Sequence, residues 1–171
     1  LAEALSDGSV IKAFAFRGSM HFLSAEDGGH YLTLRAAGKQ WERKSWIEYY
    51  GLCPQDWPNF RAAVREALSG GPMTLEELGA AVSAHREFRH LQAFFPDGAG
   101  TLIKPLCWQG DMVFATPRDG QPTFQRLDTN PHWRPVLDLE DAGRRAILHY
   151  LRTYGPATVE HVHYWLGAGL S

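Results

Sequence analysis

Residues 9–24 carry the chain's clearest hydrophobic pattern. Val10-Ile11-Lys12-Ala13-Phe14 and Met20-His21-Phe22-Leu23 are rich in β-branched and aromatic residues and flank a turn at Gly18. That is how a sequence encodes a β-hairpin. The pattern returns over 101–114, where Ile103, Lys104, Gly110, Met112 and Phe114 stand at one constant offset from Ile11, Lys12, Gly18, Met20 and Phe22. One element used twice predicts a repeated module and a second hairpin. Pro105 is tolerable in a strand at an edge or bulge. A short helix over 101–108 is the alternative.

Helical periodicity accounts for much of the rest. Residues 1–8 read as the end of a helix stopped by Gly8. Ser24-Ala25-Glu26-Asp27 looks like a helix start with Ser24 as cap, a reading that Gly28-Gly29 weakens. Trp41, Trp46, Tyr49 and Tyr50 form an aromatic connector ending at Gly51, either a stacking platform for bases or packing between modules. Phe60, Val64, Ala67 and Leu68 share one helix face. Thr74 and Glu77 have capping-box spacing, and Leu75, Leu78 and Val82 continue that helix. Ser83 caps an expected third helix through Phe88, Leu91 and Phe95, ended by Pro96-Asp97-Gly98. A strand is expected over 123–127 and a helix over 139–154. Gly155-Pro156-Ala157-Thr158-Val159-Glu160 then repeats Gly71-Pro72-Met73-Thr74-Leu75-Glu76.

Helix, helix, helix, hairpin is the plan of a winged helix-turn-helix. The expected fold class is α+β, mostly α, made of tandem winged-helix modules truncated at both ends. Residues 1–27 close a first module with its wing hairpin, and 28–55 are the aromatic connector. Residues 56–128 form the complete module and 129–171 begin another. The chain starts without Met, which fits a piece of a longer array.

Composition narrows the chemistry. With 44% hydrophobic and 21% charged residues, the 171-residue chain is ordinary for a globular protein. It has no apolar run of the roughly 20 residues that span a bilayer. No basic leader is visible, so neither a signal peptide nor a membrane partner is expected. Cys53 and Cys107 form no Cys-x-x-Cys pair, which argues for a reducing cytoplasm and against a disulfide framework. Neither cysteine reads as a nucleophile. His161 and His163 are two apart, off a common helix face, so no metal is expected, and no cofactor. A net charge of −2 gives no overall basic field, although 13 of the 17 basic residues are Arg. Arg suits phosphate recognition, and GC-rich coding produces the same excess.

Several motifs occur in a fixed order: Phe16-Arg17-Gly18-Ser19-Met20-His21-Phe22-Leu23-Ser24-Ala25-Glu26-Asp27, then Gly71-Pro72-Met73-Thr74 with Glu76-Glu77-Leu78. Lys104-Pro105-Leu106 with Trp108-Gln109-Gly110, Pro122-Thr123-Phe124-Gln125-Arg126-Leu127-Asp128 and Tyr154-Gly155-Pro156-Ala157-Thr158 follow. Together they resemble the winged-helix proteins related to the DNA glycosylases AlkZ and YcaQ, across nearly the whole chain. The resemblance implies tandem winged helices around a DNA-binding concavity, double-stranded DNA as partner, and excision of alkylated or crosslinked bases. The family's catalytic Gln-hydrophobic-Gln or Gln-hydrophobic-Asp motif precedes the Arg-Gly-Thr-x-His hairpin. It therefore falls outside this chain, in the remainder of the parent protein. Gln109-Gly110-Asp111 has Gly in the middle and the wrong place in the order, so no catalytic role is carried over to it.

The candidate DNA contacts are Arg17, Ser19 and His21 at the first turn, where an Arg fork and a short hydroxyl reach phosphate oxygens. Their alternative is tying this wing to its neighbour. Lys12 and Lys104, equivalent in the repeat, are either DNA contacts or edge-strand gatekeepers. Arg86 and Arg89, with His90, lie on the polar side of the expected third helix, as groove readers or as a solvated face. Two further readings stay open: a non-catalytic winged-helix regulator and a protein-interaction module.

Overall fold

The computed structural model describes residues 1–96, 100–134 and 138–167. Two hairpins meet in one antiparallel five-stranded sheet, ordered β2-β1-β4-β5-β3. β1 (Val10–Phe14) pairs along its whole length with β2 (Met20–Ser24). β4 (Met112–Phe114) pairs with β5 (Thr123–Arg126), which carries the two-residue β3 (Met73–Thr74) on its other side. The two hairpins join where Lys12 stands opposite Phe114. Strand alternation sorts β1 into two faces. Ile11 and Ala13 are buried, whereas Val10, Lys12 and Phe14 are half-buried on the other side.

The helices are α1 (Ala2–Ser6), α2 (Gly28–Ala37), α3 (Lys44–Tyr50), α4 (Trp57–Ala67) and α5 (Leu75–Ser83). They are followed by α6 (Lys104–Trp108), α7 (Leu139–Tyr154) and α8 (Val159–Val162). Phe60, Leu78, Val82, Leu91, Phe95, Leu106 and Phe124 are fully buried in one continuous core. α4 packs on α5, and α2 packs on both α6 and α7. The expected capping box is present, with Glu77 N donating to Thr74 Oγ1 at 3.2 Å and Thr74 N to Glu77 Oε2 at 2.9 Å. Gly8 turns with φ +82° against Asn130, whose amide donates to the Gly8 carbonyl at 3.0 Å. A Cβ at Gly8 would stand 2.8 Å from that amide nitrogen, so a larger residue would displace the Asn130 amide and strain the backbone.

Four expectations are corrected. The second hairpin does not begin at residue 101: Lys104–Trp108 is helical, the alternative that Pro105 left open. Pro105 sits in the first turn, where its missing N–H is no loss. Ser24 ends β2 rather than capping a helix, and Asp27 precedes α2. Ser83 closes α5, and Arg86–Phe94 is a run of 3₁₀ helix rather than an α-helix. Phe88, Leu91 and Phe94 recur every third residue, the period of a 3₁₀ turn. Finally, Lys12 is no edge gatekeeper, because β1 lies between β2 and β4, and Lys104 is not in a strand at all. The stop at Asp97-Gly98 and the last four residues of the 129–171 unit lie outside the described residues.

Candidate nucleic-acid interface

The hairpin turn between β1 and β2 is a tight 3₁₀ turn, Phe16–Gly18. Gly18 N donates to Ala15 O at 2.9 Å and Ser19 N to Phe16 O at 3.0 Å. The turn places Arg17 in the left-handed region, φ +51° and ψ +18°. For a residue with a Cβ that conformation is sparsely populated and held only by its surroundings. Arg17 and Ser19 are exposed, and His21 is half-buried with its ring edge-on to Phe16 at 5.1 Å. His21 Nδ1 lies 3.0 Å from the Ser19 carbonyl, which can only accept. Nδ1 therefore carries the proton, and Nε2 donates outward only in the imidazolium form.

Lys104 reaches the same turn from α6. A Cβ built on Gly18 would meet the Lys104 side chain, 3.9 Å from Nζ. Lys104 Nζ lies 5.3 Å from the Phe14 ring centre and Lys12 Nζ 4.9 Å from that of Phe114. The two rings meet edge to face at 5.2 Å. Cation–π attraction thus holds both ammonium groups over one aromatic pair. Five of the seven expected residues, Lys12, Arg17, Ser19, His21 and Lys104, form one connected group at the turn and the sheet seam beside it. Arg86 and Arg89 stand apart, on the exposed side of the segment that packs against α5 and α3.

The remaining candidates resolve into structure. Asp111 is 2% exposed and accepts from Arg61 Nε at 2.6 Å, from Arg61 Nη2 at 3.1 Å and from Arg65 Nη1. Its two oxygens are consumed in fixing α4 to the α6–β4 turn. Gln109-Gly110-Asp111 is thus a structural turn. Trp41 and Tyr50 of the aromatic connector are core residues, with Trp41 5.7 Å from Trp57, while Tyr49 stays 65% exposed. His161 Nδ1 accepts from Thr158 N at 3.3 Å, completing a helix cap. Cys107 is fully buried, and burial pushes its thiol up to about 12, out of reach of thiolate chemistry.

Sequence reasoning missed the neighbour of the turn. Trp165 packs on Phe16 with ring centres 4.5 Å apart, on Tyr150 at 5.2 Å and on Tyr31 at 6.4 Å. Beside it Tyr164 is 66% exposed, with the Arg17 guanidinium 5.8 Å from its ring centre. The signal in the sequence is the aromatic pair Tyr164-Trp165 directly after His163.

The profile of the family described as DNA glycosylase AlkZ-like matches residues 1–171, the whole chain. The chain belongs to the AlkZ-like DNA glycosylase family. An interstrand DNA cross-link repair glycosylase of Streptomyces sahachiroi is 30% identical over 164 residues, covering 95% of this chain and 44% of the relative. The solved structure of the Streptomyces sahachiroi DNA glycosylase AlkZ superposes with a TM-score of 0.89 at 28% identity. It covers 99% of this chain and 46% of that one. This member of the AlkZ-like family thus spans less than half the length of each relative. Among the described residues, no helix is long and apolar enough to cross a membrane.

Proposed function

We propose that this chain is the DNA-gripping portion of an AlkZ-like glycosylase acting on alkylated or crosslinked bases in duplex DNA. The catalytic Gln motif of that enzyme lies outside these 171 residues. The observation that carries the reading is the convergence of Arg17, Ser19, His21 and Lys104 on one hairpin turn, with Lys12 at the sheet seam beside it, in a chain of this family. Guanidinium, hydroxyl and ammonium groups so placed are phosphate ligands, fixing register on the duplex without reading sequence. The order α4, β3, α5, 3₁₀ segment, α6, β4, β5 supports a winged-helix module over 56–128, with the β4–β5 hairpin as its wing. A first module ending near residue 27, the connector 28–55 and a further module from 129 complete the proposed array.

Fluorescence anisotropy with duplex DNA tests this, using the 171-residue chain and the full-length gene product. Affinity falls linearly with the logarithm of salt. Alanine at Arg17, Lys104 or Lys12 reduces that slope by about one for each phosphate no longer neutralised. Salt-independent or absent binding by both proteins overturns the reading. A non-catalytic winged-helix regulator using the same DNA contacts is the second reading. Release of an alkylated base by the full-length protein eliminates it.

A further inference from the structure

Phosphate binding at the turn employs its charges and leaves the exposed ring beside them without a role. Tyr164 is 66% and Tyr154 57% exposed; the Tyr154 ring lies 6.0 Å from Trp165, whereas the Tyr164 ring faces Arg17. Trp165 is wedged among Phe16, Tyr31 and Tyr150, so the turn His163–Gly167 is seated on the β1–β2 turn by stacked rings. Tyr164 is thus the exposed neighbour of a ring-packed anchor.

Arg17 faces that ring from a strained backbone. Its guanidinium is 5.8 Å from the ring centre. Bases stack about 3.4 Å apart, so a base held between two planes needs about 7 Å. At 5.8 Å from the ring centre, the guanidinium is beyond direct stacking contact and about one ångström nearer than a base held between the two groups requires. Lys104 adds an ammonium beside the turn, His21 lies next to it, and the nearby carboxylate is Asp27, 3.8 Å from His30. A guanidinium and an exposed aromatic ring beside a lysine are the composition of a single-stranded nucleic-acid platform. The aliphatic patch on α7, Ile147, Leu148 and Leu151, is chemically different: it offers no aromatic face for a base to stack on.

We propose that Arg17 and Tyr164 form a clamp for one unpaired nucleobase, with Lys104 and Ser19 taking the adjoining phosphate. The inference rests on the DNA-binding reading above and adds to it a preference for distorted over fully paired duplex. Its chemistry is stacking, so it accepts any base whose face is exposed.

The test uses two duplexes of equal length, one fully paired and one carrying a single bulged 2-aminopurine. The wild-type chain binds the bulged duplex more tightly and quenches the 2-aminopurine emission. Tyr164→Ala weakens bulge binding by roughly five- to a hundredfold, as removal of a stacking aromatic does. It changes paired-duplex binding less than twofold, and Tyr164→Phe retains both the preference and the quenching. Tyr164 is exposed, and circular dichroism verifies that the variants fold. The clamp is overturned if the wild type shows no bulge preference, if Tyr164→Ala weakens both duplexes alike, or if Tyr164→Phe fails as Tyr164→Ala does. Those outcomes leave salt-dependent duplex binding intact. Loss of binding to both duplexes by the wild type instead removes the DNA-binding reading, and the clamp with it.

Discussion

Residues 10–14 and 102–108 share a pattern in sequence and differ in structure. Ile11-Lys12 opens a strand with alternating burial, whereas Ile103-Lys104 opens a helix whose last four residues are all buried. The first segment has a solvent face, which strand alternation serves. The second is surrounded, with β1, β4 and α2 packed against it. Pro105 then decides between the two local geometries, because it cannot donate to a ladder and fits the first turn of a helix. Both lysines nevertheless end over phenylalanine rings of the same pair. Similar residues reached one surface by different backbone routes.

The comparison can be broken in the second segment first. Asp111→Ala leaves Arg61 and Arg65 without their carboxylate and frees the turn that follows α6. A loss of about 3 kcal/mol is expected, the low end for a broken buried pair because the arginines reach solvent, read by urea denaturation. A result below about 1 kcal/mol, the range of an exposed pair, would mean that the triad does not hold α4 to this turn. In the first segment, Ala13→Pro removes a ladder donor from a central strand and should cost a similar ~3 kcal/mol. Pro105→Ala should cost well under half of that. Equal costs would erase the distinction between strand and helix.

Smaller effects sharpen the contrast. α2, which supports α6, carries His30, 4% exposed with Nδ1 buried and without a hydrogen-bond partner among the described residues. Burial, and then the Arg145 charge, push its imidazole below the ordinary value. The unfolded chain therefore binds this proton more tightly, so His30's contribution is present above pH ~6.5 and lost as pH falls through and below it. Denaturation midpoints about one pH unit above and one below that value should differ more for the wild type than for His30→Leu. Arg17→Gly relieves the left-handed backbone and should stabilise by about 0.5 kcal/mol while weakening DNA binding. A simultaneous loss of stability would remove the argument from strain. Lastly, iodoacetamide under mildly alkaline conditions should label Cys53 in the native chain and spare Cys107 until the chain unfolds.

Much of this was legible in the sequence, for local reasons. The first hairpin, the Thr74–Glu77 capping box and the α4 face are written in contiguous residues. The 86–94 segment was not, because α and 3₁₀ faces differ by a fraction of a residue per turn and Phe94 and Phe95 serve either. Repeat matching also misled at 101–108, since it weighs residue identity and ignores what surrounds the segment. At the site, the charged residues of the first turn stood in one motif. Their ring neighbour, Tyr164, lies near the other end of the chain, and no local pattern points across that distance.

The seam at Lys12 and Phe114 is a single bridge pair long. With so little ladder across it, the edge-to-face contact of the Phe14 and Phe114 rings at 5.2 Å reinforces the joint between the hairpins. The seam is thus the narrowest joint in the sheet, and exchanging one ring for a smaller side chain is expected to shift one hairpin against the other without breaking a strand.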